Sequence, residues 1–232
     1  FDLGESEVDD YMQNALDNVD RFAQWLHSAR PTAILHAAGS TRRDREADVW
    51  QVTYSANVET LACILSAVTR LPQDERPVVV LPGSQFEYGS AQMPWTEDTL
   101  AEPGGAYGAS KLAATQMLST AVRQGIVRGC SVRLPIVFGP GQKANQFIPE
   151  LICSCLRGKR FCMTAGQQVR RFLYVDDAAA ILLSVARRAF GAPIPSVLNA
   201  PAYAPASILE MAERVSRAIG TPELLDPGAM AY

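Results

Sequence analysis

The sequence contains no apolar run long enough to cross a membrane, no internal repeat and no low-complexity tract. A membrane-spanning helix, a repeat array and a biased disordered segment are therefore not expected. No signal peptide shows at its start, which points to a cytoplasmic protein. Neither sign of charge is in large excess: 21 Lys and Arg against 24 Asp and Glu give a net charge of −3. That balance argues against nucleic acid or an anionic membrane as partner. Cysteine is also sparse. Cys63, Cys130, Cys153, Cys155 and Cys162 are odd in number and lack paired metal spacing, and Cys153 and Cys155 fall on different faces of a predicted helix. They read as small buried side chains in a reducing compartment rather than as a disulfide framework or a metal site.

What remains is a globular composition: 232 residues, 48% hydrophobic and 19% charged, enough for one large core or two unequal lobes. Apolar residues at helical spacing predict a helix over 6–29, stopped by Pro31, followed by a strand over 32–36. The span 47–70 is apolar on more than one side, as in a helix buried on both faces. A buried strand follows at 78–81, then a helix over 107–123 and a strand over 130–134. Downstream, a helix over 145–156 precedes short strands at 160–163, 171–175 and 197–199 and helices at about 177–189 and 206–219. Asp176 and Asp177 read as caps of the first of these last helices.

The most informative stretch is Tyr107-Gly-Ala-Ser-Lys111. Residues four apart share a helix face, which brings the Lys111 ammonium near the Tyr107 phenol. A positive charge roughly 4 Å away favours the phenolate by about 4 kcal/mol at an effective dielectric near 20. That is roughly three pKa units, enough to bring a phenol of pKa about 10 close to neutrality. Taken alone, the spacing also fits an ordinary helix start with a solvated lysine. Ser84 stands where the strand at 78–81 ends, the usual place for chemistry in an open α/β sheet.

Ser84, Tyr107 and Lys111 together resemble the catalytic triad of the short-chain dehydrogenase/reductase superfamily. Five ordered blocks narrow the resemblance to its extended branch, the nucleotide-sugar epimerase/dehydratase family. They are Leu35-His-Ala-Ala-Gly39, Ser84-Gln-Phe-Glu-Tyr-Gly89, Tyr107-Gly-Ala-Ser-Lys111, Arg133-Leu-Pro-Ile-Val-Phe-Gly-Pro-Gly-Gln142 and Gln168-Val-Arg-Arg-Phe-Leu-Tyr-Val-Asp-Asp177. The resemblance implies an α/β fold: a Rossmann-like doubly wound parallel sheet with a small C-terminal α/β substrate lobe. The expected division is 1–140 for cofactor and 141–232 mainly for substrate, with about 171–190 returning to the first domain. The chain opens at Phe1 without the glycine-rich strand–loop–helix that begins such domains. The first βαβ portion, roughly 50 residues or more, is accordingly expected to be missing.

The resemblance also implies roles. Tyr107 is expected as acid/base, Ser84 as the group orienting the reacting oxygen, and Lys111 as the group holding the cofactor ribose. NAD or NADP is expected to meet Asp2 and Leu3 at its adenine and Ala37, Ala38 and Gly39 beneath a ribose. Asn57 is expected beside the cofactor, and Pro135 and Val137 at the nicotinamide. A nucleotide-sugar substrate is expected against Ser84, Phe86, Asn145, Gln146, Phe147 and Arg170, whose guanidinium suits a pyrophosphate. The helices at about 47–70 and 107–123 are expected to form a homodimer interface. His36 reads as a satisfied histidine at a strand end.

Departures from the family narrow the reaction. The 4,6-dehydratases carry an acidic pair directly after the catalytic Ser or Thr, and decarboxylases a glutamate two positions after it; here stand Gln85 and Phe86. Glu87 is one residue late and, on an extended segment, expected on the opposite side. The cysteine of the 3,5-epimerase-reductases is likewise replaced by Phe86. A 4-epimerase or 4-ketoreductase is the expected activity. Ile136 stands where many members use asparagine against the substrate phosphate. That change leaves open a smaller alcohol or ketone substrate, and a non-catalytic cofactor sensor of the same fold is the remaining alternative.

Overall fold

A computed structural model describes residues 18–42, 44 and 46–230. The expected sites Asp2 and Leu3, and the part of the predicted first helix before Asn18, lie outside them. The chain divides into two compact units: one takes in the chain up to Arg133 together with Leu182–Leu198, the other Leu134–Ile181 with Asn199–Tyr232.

The first unit opens with α1 (Val19–Ala29). Asn18 starts it by accepting a hydrogen bond from the Arg21 amide at 3.0 Å, and Arg30 closes it in a left-handed conformation just before Pro31. The strand β1 (Ala33–Leu35) pairs in parallel with β2 (Val78–Ser84), Ile34 opposite Val79. With β3 (Gly129–Leu134) and β8 (Val197–Asn199) they form a four-stranded sheet of order β1-β2-β3-β8. Val78, Val79, Val80 and Leu81 are all buried, which is why this strand reads as a continuous apolar run rather than an alternation.

The helical span predicted at 47–70 is interrupted. It runs as α2 (Val49–Tyr54), a π-helical turn (Ser55–Glu59) and α3 (Thr60–Val68). The extra residue in the wide turn re-aims Asn57 inward, and such turns concentrate at functional positions. The helix α4 (Ala106–Arg123) carries Tyr107 and Lys111. Leu26, Leu61, Ile64, Val68, Leu81 and Leu118 share one apolar core across these elements.

The second unit is built from small pieces. β4 (Ile136–Phe138) pairs in parallel with β7 (Phe172–Tyr174), β5 (Phe161–Met163) pairs in parallel with β10 (Leu225–Pro227), and β6 (Val169–Arg170) pairs antiparallel with β9 (Ala206–Ser207). The helices α5 (Phe147–Leu156) and α7 (Ile208–Ile219) pack over Leu151, Phe161, Met163 and Ala212. A reciprocal cap between Ser207 and Glu210 starts α7 and Gly220 ends it. The helix α6 (Val175–Gly191) begins earlier than expected, directly after β7, so Asp176 and Asp177 do not cap it. They occupy its first turn, where carboxylates meet the positive end of the helix dipole.

The cysteine expectation needs correction in part. Cys63, Cys130 and Cys155 are buried, but Cys153 is half-buried and Cys162 exposed, the outward residue of a strand whose neighbours point in. All five are free thiols. Burial pushes the Cys130 thiol up to about 12, which makes it unreactive. Among the described residues no helix is long and apolar enough to cross a membrane, and no group of three or more His, Cys, Asp or Glu is placed to hold a metal.

Candidate active site

The site forms where β2 ends and α4 begins. After Ser84 the chain does not stay extended but turns through one 3-10 turn, Gln85–Glu87. The Ser84 hydroxyl accepts from the Phe86 amide at 3.2 Å, while the Glu87 carboxylate accepts from the Ser84 amide at 2.8 Å. This reciprocal cap fixes the serine. Gly108 lets α4 approach the turn closely, since a Cβ there would overlap the carbonyl oxygen of Phe86. The Phe86 ring then meets the Tyr107 ring edge-on, with centroids 5.8 Å apart.

One helical turn beyond Tyr107, Lys111 is buried and donates to the carbonyl oxygen of Pro82 at 3.1 Å. Burial pushes its ammonium below the ordinary lysine range, and the charge of Glu87 pulls it partly back. The solvated-lysine alternative is thereby removed. The ammonium has three donors and makes one hydrogen bond among the described residues, which leaves two donors for another partner. Tyr107 is half-exposed and faces a cleft of about 570 Å³, lined by Phe86, Trp50, Asp44, Gly104 and Gly105 among others.

The expectation that Glu87 lies opposite the site on an extended strand is corrected. The 3-10 turn rolls it fully inward, where its second oxygen accepts from Arg133 Nε at 2.8 Å. Arg133 also donates to the Tyr88 hydroxyl at 2.8 Å and stacks over that ring at 4.5 Å. Thr115 adds a 3.2 Å bond to the first carboxylate oxygen. Burial opposes the Arg133 charge, but Glu87 and Tyr88 outweigh it and hold the guanidinium above its ordinary range. Both oxygens of Glu87 are therefore occupied.

The turn after β1 is held from below. Asn57, buried on the π-helical turn, accepts from the Ser40 amide at 2.9 Å and donates to the Ser40 carbonyl at 3.0 Å and the Ser110 hydroxyl at 2.9 Å. Gly39 leaves no room for a side chain against the Asn57 amide. Ala37, Ala38 and Gly39 themselves are exposed, so a ligand can reach their backbone. Ser40 and Ser110 escaped the sequence reading, although Ser110 lies inside the Tyr107–Lys111 motif.

His36 is buried and its Nε2 lies 3.0 Å from the Thr60 hydroxyl, a satisfied histidine. Burial first, and the Lys111 charge second, lower its pKa from 6.5 to about 4. The unfolded chain thus takes up this proton before the folded one. The associated stability is complete above pH 6.5 and is lost as pH falls toward 4, on the order of 3 kcal/mol in all. Urea unfolding at pH 7 and pH 4.5 is expected to show this loss, and His36→Gln to flatten it; an unchanged slope in the variant contradicts the assignment.

The first unit thus gathers Ala37, Ala38, Gly39, Asn57, Ser84, Phe86, Tyr107 and Lys111. The second unit holds Pro135, Val137, Asn145, Gln146, Phe147 and Arg170. Pro135 and Val137 lie at and within β4, and Gln142 donates to the Val137 carbonyl at 3.3 Å and to the Gln146 side chain at 2.7 Å. Asn145 is exposed ahead of α5. Phe147 packs into the core of that unit, 6.1 Å from Phe161 between ring centroids. Arg170, on β6, is half-buried, with one guanidinium nitrogen donating to the Val169 carbonyl at 2.8 Å.

Comparison with known proteins shows the family and the fold. The model of the NAD dependent epimerase/dehydratase family matches residues 5–200. The chain belongs to that family. Among curated relatives, the dTDP-glucose 4,6-dehydratase of Mycobacterium tuberculosis is 29% identical over 154 residues, 64% of this chain and 45% of that protein. The CDP-abequose synthase of Salmonella typhimurium is 42% identical over 57 residues, 24% of this chain and 19% of that protein. The chain spans less than half the length of these curated relatives. Among solved structures, the dTDP-glucose 4,6-dehydratase of Bacillus anthracis in complex with NAD aligns at a TM-score of 0.82 and 18% identity, over 97% of this chain and 70% of that one. The UDP-N-acetylglucosamine 4-epimerase of Methanobrevibacter ruminantium aligns at 0.79 and 20%, over 93% and 68%. These likenesses establish the Rossmann-like α/β fold of this family member, and the family is NAD-dependent.

Proposed function

We propose that this protein is an NAD(P)-dependent enzyme that transfers a hydride at a carbon of a nucleotide-activated sugar, by 4-epimerisation or 4-keto reduction. The observation that carries the reading is the burial of Lys111 one turn after Tyr107, its ammonium on the strand that ends at Ser84. A lysine taken out of water beside a tyrosine that faces a cleft is the arrangement acid–base chemistry by a phenol needs.

The residues present fit the cofactor. The two spare donors of Lys111 suit a ribose diol, and the open Ala37-Ala38-Gly39 turn, braced by Asn57, suits the approach of a ribose. Pro135 and Val137 would offer backbone groups to the carboxamide. Nicotinamide supplies the carbon that accepts and returns the hydride. Ser84 orients the reacting oxygen, Tyr107 takes or gives its proton, and Lys111 favours the phenolate. Phe86 would lie against the sugar, with Asn145, Gln146 and Arg170 toward the nucleotide.

Dehydration is not part of this reading. Gln85 and Phe86 carry no ionisable group, and both oxygens of Glu87 are engaged by Ser84, Thr115 and Arg133. The test is to incubate the full-length protein with NAD or NADP, each in its oxidised and its reduced form, and a panel of nucleotide sugars and their 4-keto derivatives. Epimerised sugar without net cofactor consumption is expected of an epimerase, stoichiometric consumption of a reductase. Release of a 4-keto-6-deoxy sugar, or no turnover of any member of the panel, contradicts the reading. The same reading pairs two copies through the helical span from α2 to α3 and through α4, with Trp50 and Tyr54 standing 62% and 52% exposed on α2. Sedimentation is expected to show a dimer, and a monomer at assay concentration contradicts the pairing.

A further inference from the structure

We propose that Trp50 is the platform on which the sugar ring of the substrate lies, its indole face against a C–H face of the pyranose. This rests on the nucleotide-sugar reading above and adds a binding residue that the reading does not use.

Trp50 stands apart from the other two tryptophans. Trp25 stacks on Phe22 with ring centroids 5.7 Å apart. Trp95 stacks on Tyr88 at 5.1 Å and donates its indole N–H to the Ala91 carbonyl at 2.9 Å. The Trp50 ring has neither a ring neighbour nor a hydrogen bond among the described residues, and the residue is 62% exposed. The fold does not draw on it. The helix α2 is anchored through Val49 and Thr53, both buried, the Thr53 hydroxyl donating to the Val49 carbonyl at 2.7 Å. An indole left in water forgoes the apolar burial that is its main contribution to stability.

Its position supplies the reason. Trp50 lines the cleft that Tyr107 and Phe86 also line, whereas Tyr54, one turn further along α2, does not. Three aromatic side chains and the side-chain-free backbone of Gly104 and Gly105 thus bound one space of about 570 Å³, a size typical of small-molecule sites. The sugar carbon whose hydroxyl exchanges a proton with Tyr107 has to sit in that space. Ala37, Ala38, Gly39 and Lys111, expected at the cofactor, do not line it. Asn145, Gln146 and Arg170, expected at the nucleotide, belong to the second unit. The part of the substrate beside Trp50 is therefore the sugar ring. One face of a pyranose is a patch of C–H bonds with slightly positive hydrogens, which suits the negative face of an indole. The indole N–H is left to donate to a hydroxyl at the rim.

The test uses the full-length protein loaded with NAD and titrated with UDP-glucose, dTDP-glucose and CDP-glucose, followed by tryptophan emission and by steady-state kinetics. The nucleotide sugar that binds is expected to shift the emission of the wild type, and Trp50→Phe to abolish most of that shift. The matching nucleoside diphosphate, which lacks the sugar, should leave the Trp50 signal unmoved. Trp50→Ala is expected to raise KM for the sugar about 10–50-fold with kcat within about twofold, the pattern of lost uniform binding. Trp50→Tyr should recover most of that loss, and NAD affinity should stay constant throughout. An unchanged KM in Trp50→Ala, or a Trp50-dependent shift with the bare nucleoside diphosphate, overturns this inference alone. So does a Trp50→Ala variant that sediments as a monomer where the wild type is a dimer, since the indole would then serve the pairing of copies. Neither turnover nor a sugar-dependent signal from the wild type overturns the nucleotide-sugar reading and this inference with it.

Discussion

Tyr107→Phe is expected to lower kcat by about 10²–10⁴-fold, the range that a positioned acid–base group contributes, while cofactor affinity stays essentially unchanged. The phenyl ring retains the edge contact with Phe86 and the place of Tyr107 at the start of α4, so only the hydroxyl is removed. Lys111 keeps its bond to Pro82 and its two free donors, which is why binding should survive. Steady-state kinetics on the panel sugars together with calorimetric titration of NAD checks both halves. Turnover at the wild-type rate would remove Tyr107 from the chemistry, and a parallel loss of NAD binding would assign the residue to cofactor binding.

The second large effect concerns stability. Glu87→Ala and Arg133→Ala are each expected to cost about 3–5 kcal/mol, because either one leaves an uncompensated charge in the interior. Glu87 is fully buried and Arg133 5% exposed, and their 2.8 Å contact is backed by Tyr88 and Thr115. The expected fall in Tm is on the order of 10 °C. Replacing both partners, Glu87→Leu with Arg133→Met, is expected to recover much of the loss, since paired removal strands neither charge. Single variants that lie within about 0.5 kcal/mol of wild type would mean that water reaches the pair. Glu87→Ala should also lower turnover, as its carboxylate accepts from the Ser84 amide.

How much of this was legible in the sequence follows from the range of each interaction. The run Val78-Val-Val-Leu81 announces a central strand because burial on both faces leaves its mark on every residue. Tyr107 and Lys111 are legible because helical spacing places them together by local geometry alone. The π-helical turn at Ser55–Glu59 is not, since a span apolar on several sides gives no periodicity to break. The turn at Gln85–Glu87 is too short to carry a pattern, so no local signal shows that Glu87 faces inward. Its partner Arg133 lies 46 residues away, and no local signal links the two. The two-residue strands β6 and β9 fall below any readable period for the same reason. The Asn57 clasp on Ser40 and Ser110 joins three segments that only the folded sheet brings together.

The most direct test of the site's chemistry follows the hydrogen itself. The full-length protein, loaded with NAD, is given a nucleotide sugar deuterated at the reacting carbon, quenched during turnover, and its cofactor analysed by mass spectrometry. Deuterium on the reduced nicotinamide is the predicted result. Deuterium released to water while product forms would mean that a proton rather than a hydride leaves the sugar, and would contradict the roles given to Ser84, Tyr107 and Lys111.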